Sequence, residues 1–228
     1  MANHAHEAFM QSHSTGPIAA PTLRACLCPP ISEVAIAAGL LNDAVAAHLA
    51  GRTGEAEDLL KQANIAAIKK EWADLLIGKF SEYNTPWFRL SSSFRGAVTR
   101  EKERMPSSEL KRTLHIRYGY HCCFCGTPII RRQVRKRLVS LYPKAVPWGA
   151  GDAAKHAAVF VMEAQYDHVV PHSRGGENSL ENIVLTCLPC NYGRSSFTLE
   201  EMGLFDPRKR KRVECVFSGW DGLERLLQ

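Results

Sequence analysis

Residues 167–196 read DHVVPHSRGGENSLENIVLTCLPCNYGRSS, and this stretch decides the fold of the second half of the chain. Asp167-His168 leads through Val169-Val170 into Pro171 and a loop containing Gly175-Gly176. The apolar run 183–185 then reads as a returning strand, with Asn182 at its entry. Cys187-x-x-Cys190 follows, and Pro189 starts a helix that carries Asn191 on its first turn. The pattern predicts a β-β-α unit. Adjacent strand residues point to opposite faces, so Asp167 and His168 need a bend to serve one centre. The oxygen donors of Asp167 and Asn191 suit a hard cation, Mg2+ or Mn2+.

Working outward, Cys187 and Cys190 have a matching pair upstream in Cys122-x-x-Cys125, which Gly126 closes as a tight knuckle. Four thiolates make a closed tetrahedral set for a structural Zn2+, with no position left for water. The 61 residues between the pairs hold an insertion. Cys123 points away from such a centre, and Cys26 and Cys28 read as ordinary thiols.

The chain has 228 residues, of which 45% are apolar and 23% charged, as expected of a globular protein with a real core. No apolar run approaches a membrane span and no secretory leader is visible, so the expectation is a cytoplasmic protein without membrane contact. Residues 1–99 carry 8 Lys/Arg against 9 Asp/Glu, whereas residues 100–228 carry 21 against 14. The positive charge therefore travels with the metal-ligand half, which points to a polyanionic partner. Residues 129–141 form a basic amphipathic helix with Arg131, Arg132, Arg135 and Lys136 as candidate nucleic-acid contacts. Arg174 in the loop and the run Arg208, Lys209, Arg210, Lys211 and Arg212 are further candidates.

Residues 1–30 read as a flexible tail with His4, His6 and His13, and residues 31–99 as an α-helical region. Ser32 is the expected cap of a first helix with a Val34, Ile36, Leu40, Leu41, Val45, Leu49 stripe. A glycine turn near Gly51 leads to a second helix with Leu59, Leu60 and Trp72 on its packing face, giving a helical hairpin. This hairpin packs on the rest or docks a protein partner. Breaks near Asn84 and at residues 91–93 precede a third helix, capped by Ser107 or Ser108.

The knuckle at residues 122–126 and the run from 167 to about 204 resemble the HNH endonuclease family, with its ββα-metal fold. The match of Asp-His, Asn and Asn spacings is similar to the HNH domain of CRISPR effector nucleases. The resemblance implies that His168 is the general base and that Asn182 braces its loop. It implies that Asn191, standing where many members have a final histidine, binds the catalytic Mg2+ or Mn2+ with Asp167. Arg194 keeps a cation where relatives often carry lysine, and is a candidate catalytic residue through phosphate contact. The expected architecture is α+β: an N-terminal α-helical hairpin followed by a zinc-stapled ββα-metal nuclease domain at residues 100–228. Its finger core spans residues 164–204, and it carries a helical insertion. The expected activity is DNA phosphodiester hydrolysis leaving 5′-phosphates, of the kind used in restriction or anti-phage defence. The competing readings are a non-catalytic zinc module that binds nucleic acid, and a nuclease subunit governed by a partner. A homodimer is a further expectation, because one finger cuts one strand.

Overall fold

A computed structural model describes residues 22–78, 85–89 and 102–228. The tail histidines His4, His6 and His13, Asn84 and the break at residues 91–93 lie outside the described residues. The architecture is α+β, with one two-stranded sheet among the described residues. Helices α1 (Ser32–Leu49) and α2 (Thr53–Gln62) fold back on each other through Gly51, whose φ of 80° suits glycine. Contrary to the sequence expectation, Ser32 is the first helical residue and not the cap; its hydroxyl turns to Glu33. The buried face of α1 is rich in alanine. Ala37, Ala38, Ala44 and Ala47 are sealed with Val34, Leu41 and Val45, while Ile36 and Leu49 face solvent. Small side chains let the packed helices approach closely.

A π turn, Ile68–Ala73, runs into the short α3 (Asp74–Ile77) and buries Ile68, Trp72 and Leu76. Helix α4 (Ser108–Tyr118) begins where the Ser107 hydroxyl accepts the Leu110 N–H at 3.1 Å. It ends at Gly119 in the left-handed region. The cysteine knuckle follows, then α5 (Arg132–Leu141) and α6 (Ala157–Met162). Strands β1 (Gln165–His168) and β2 (Ile183–Thr186) pair antiparallel, with Asp167 opposite Val184 and His168 opposite Ile183. The short α7 (Leu188–Arg194) completes the finger and packs against α3.

The helical hairpin is fastened to the element that feeds β1. His156 caps α6: its Nδ1 accepts the Val159 N–H at 3.3 Å, and its Nε2 donates to the Leu60 carbonyl at 2.9 Å. Asn64 Oδ1 accepts the Ala157 N–H at 2.7 Å. One apolar core runs from Leu27 to Leu226 and includes both portions of the chain. No helix among the described residues is long and apolar enough to cross a membrane.

This docking makes the fold sensitive to acid. Burial pushes His156 down to about 4, and burial reinforced by repulsion from Arg131 does the same to His115. Both stay neutral in the fold, whereas an unfolded histidine titrates near 6.5. Between those values the unfolded chain binds more protons, so stability is fully present above pH 6.5 and is lost as pH falls towards 4. Each histidine accounts for up to about 3 kcal/mol. Urea unfolding across this window is expected to show that loss, with a shallower pH slope in His156→Gln. An unchanged slope would remove His156 from the account.

Candidate metal centre and active site

The four expected cysteines meet. The sulfurs of Cys122, Cys125, Cys187 and Cys190 all lie within 4.8 Å of one another, and all four residues are buried. Cys125 and Cys187 are 3.6 Å apart sulfur to sulfur. A tetrahedral zinc with bonds of about 2.3 Å needs sulfurs roughly 3.8 Å apart, so the cluster fits a zinc site. The knuckle is held by Cys122 N–H to Thr127 O and Gly126 N–H to Cys122 O, at 2.8 and 3.0 Å. Cys123 belongs to the core, its thiol pushed well above the ordinary range by burial.

On the other side of the finger, a cavity of about 1140 Å³ contains Asp167, His168, His172, Asn191 and Arg194 in its lining. Asp167 and His168, though adjacent on β1, therefore reach one space. Arg194 explains much of this. Its Nε donates to one Asp167 oxygen at 2.7 Å and its Nη2 to the other. The same guanidinium bonds the carbonyls of His168 and Phe197. It is 1% exposed. Arg194, expected as a phosphate contact, lines the cavity and with these partners anchors β1.

The loop between the strands is tied by Asn182. Its Oδ1 accepts the Val170 N–H at 2.8 Å, and its amide donates to Val170 O and Glu177 O at 3.1 and 3.0 Å. A side chain on Gly176 would collide with the Val170 carbonyl and crowd this amide, so the position must be glycine. Asn178, which no spacing marked, carries more information. Its Nδ2 donates to the Glu103 carbonyl, which can only accept, so its Oδ1 faces His168 Nε2 at 3.1 Å. His168 Nε2 therefore bears the proton and Nδ1 holds the lone pair. Burial, the largest influence, pulls His168 below the usual histidine value, and the Asn178 bond partly offsets it. The ring is neutral near pH 7.

Asp167 and Asn191 offer one carboxylate and one amide to a hard cation. Each carboxylate oxygen has two lone-pair sites, so the Arg194 fork leaves room for a metal bond. Mg2+ commonly takes only one or two carboxylates and fills its shell with water and phosphate. The donor set fits an ion of that kind.

The expected nucleic-acid contacts divide. Arg132 is exposed at the start of α5 and lines the cavity. Arg131, also in the lining, pairs with Glu224. Lys136, Lys209 and Lys211 are exposed but away from it. Arg135 is corrected: it is buried, 3.2 Å from Glu163, with its guanidinium 4.4 Å from the Trp148 ring centre. Arg174 pairs with Glu201 at 2.9 Å. In the C-terminal run, Lys209, Lys211 and Arg212 are exposed and the three arginines bond within the chain. Arg208 binds Asp206 and the Glu181 carbonyl, Arg210 binds the carbonyls of Ala25, Cys123 and Phe124, and Arg212 binds that of Arg117. Those arginines staple the chain around the knuckle. Arg104, before α4, and Lys111 and Arg112, on it, line the cavity and were missed; isolated surface cations carry no spacing signal of their own.

Residues 154–197 match the family model described as HNH endonuclease. No curated protein and no solved structure matches this chain.

Removing one partner of a buried ion pair typically costs about 3–5 kcal/mol. Arg194→Ala is expected to lose stability in that range in chemical unfolding, because Asp167, only 5% exposed, loses its counter-charge. Arg194→Lys, with a point charge in place of a fork, should fall between wild type and Arg194→Ala. A loss near zero would mean that Asp167 is solvated in the folded protein.

Proposed function

We propose that this chain, whose residues 154–197 form an HNH endonuclease domain, hydrolyses phosphodiester bonds of DNA with a divalent cation. The observation that carries the reading is His168 in the cavity, neutral, with Nε2–H engaged by Asn178 and Nδ1 left as its basic nitrogen. In this reading Nδ1 takes a proton from a water molecule as that water attacks the phosphorus. The P–O3′ bond breaks, leaving a 5′-phosphate and, once protonated, a 3′-hydroxyl. Asn182 holds the loop at Val170 and Glu177, and Arg194 holds the β1 backbone at His168, so the base stays in one orientation.

Asp167 and Asn191 would hold Mg2+ or Mn2+, which when bound supplies charge stabilisation for the phosphate and the leaving oxygen. A zinc ion on the four cysteines has a structural role, since no ligand position remains for water. A role in restriction or defence is consistent with a DNA-cutting activity and belongs to the same proposal.

Cleavage of a labelled duplex with Mg2+ or Mn2+ tests the base. His168→Ala is expected to lower the rate by about 10²- to 10⁴-fold while duplex binding persists. Equal cutting by both proteins would overturn the assignment, and binding without any cutting by wild type would favour a non-catalytic module. Metal analysis is expected to give one zinc per chain, reduced in Cys187→Ser and unchanged in Cys215→Ser. Full zinc content in Cys187→Ser would remove it from the ligand set.

A further inference from the structure

We infer that the nucleic-acid backbone lies in the groove between the N-terminal ends of α4 and α5, gripped by Arg104, Lys111, Arg112 and Arg132. This rests on the nuclease reading of the same cavity and assigns its substrate track. Six Lys/Arg side chains and two carboxylates line the cavity. Both carboxylates are already matched within the fold, Asp167 by Arg194 and Glu163 by Arg135, and Arg131 is matched by Glu224. Arg104, Lys111, Arg112 and Arg132 form no ion pair within 4.0 Å among the described residues. The cavity that His168 lines thus carries uncompensated positive charge.

These four cations are placed by the elements that build the reaction centre. Arg104 follows Glu103, whose carbonyl is held by the Asn178 amide that also orients His168. Lys111 sits 5.4 Å from the ring centre of Tyr166, the residue before Asp167. Arg112 is its neighbour on α4, Arg132 begins α5, and both line the same cavity as His168. The first turn of α5 has no acidic residue and no side-chain cap, so its amide groups add to the positive field. A polyanionic strand crossing the groove would place a phosphate beside His168 with flanking phosphates at the cations. The C-terminal arginines lack that freedom, since backbone carbonyls of this chain already hold them.

The test measures binding of a short fluorescent duplex, and of the matching single strand, across a salt series. His168→Ala serves as the parent so that cleavage does not intervene. Replacing Arg104, Lys111, Arg112 and Arg132 with alanine is expected to reduce the slope of log affinity against log salt. The reduction is about 0.9 for each duplex phosphate that is no longer neutralised, roughly 3 to 4 in total, or about 0.7 for each phosphate of a single strand. The arm in which the change, divided by its slope per phosphate, corresponds to more lost contacts identifies the form the groove holds. Lys209→Ala with Lys211→Ala, which alters exposed cations outside the cavity, should leave the slope unchanged. An unchanged slope in the quadruple variant, or its loss in the lysine pair instead, would overturn the groove. If wild type cuts nothing yet the quadruple variant loses its slope, the nuclease reading fails and the groove stands.

Discussion

A single buried guanidinium sets the geometry on which the rest of the finger depends. Arg194, the last residue of α7, grips both oxygens of Asp167 and the carbonyl of His168. Taking both charges out of water is costly, and only close, multiple hydrogen bonds offset that cost. Four of its five N–H groups have such partners, which explains how a side chain 1% exposed remains charged. At the other end of α7, Cys187 and Cys190 join the sulfur cluster. The seven-residue helix is therefore clamped at both ends. Successive helical residues diverge by about 100°. Cys190 can thus face the sulfurs while Asn191 lines the cavity on the same turn.

The clamp has an electrostatic consequence. With Asp167 matched by Arg194, that carboxylate adds little net negative charge to the cavity. In the proposed reading a divalent ion meets less attraction there than an unpaired carboxylate would give, which suits an exchangeable ion over a tightly sequestered one. The sulfur cluster is the opposite case, with four donors of one kind, sealed from solvent and braced by Arg210 across the knuckle backbone. The two sites differ in donor chemistry and in access to water, and both depend on α7.

The β-β-α unit, the four cysteines and the capped start of α4 were legible because each depends on residues close in sequence or on ligands of unmistakable chemistry. The alanine face of α1 was harder to read. Val34, Leu41 and Val45 of the expected stripe are buried, but Ile36 and Leu49 face solvent and alanines take their place in the close helix packing. Asn178 had no signal, because its two partners, Glu103 and His168, come together only in the folded loop. Arg135 misled for a similar reason. In the sequence it is one of several arginines on a basic helix, and its buried position depends on Glu163 and Trp148 from elsewhere in the insertion.

Charge follows the same rule. The excess of cations in residues 100–228 is real, but formal charge counts a guanidinium bound to three carbonyls the same as one open to solvent. Five cations in a row at residues 208–212 look like the strongest polyanion-binding signal in the chain. Arg208 and Arg210 are half-buried and bonded within the fold, while Lys209, Lys211 and Arg212 are exposed, Arg212 with one bond to the Arg117 carbonyl. Meanwhile Arg104, Arg112 and Arg132 are scattered in sequence and converge on one cavity. A field able to hold a phosphate backbone depends on which cations lack internal partners and on whether they share a low-dielectric cleft. Neither property is local in sequence. The packing that brings residues of α4 and α5 into the lining of one cavity with His168 is therefore part of the site's electrostatics as well as its scaffold.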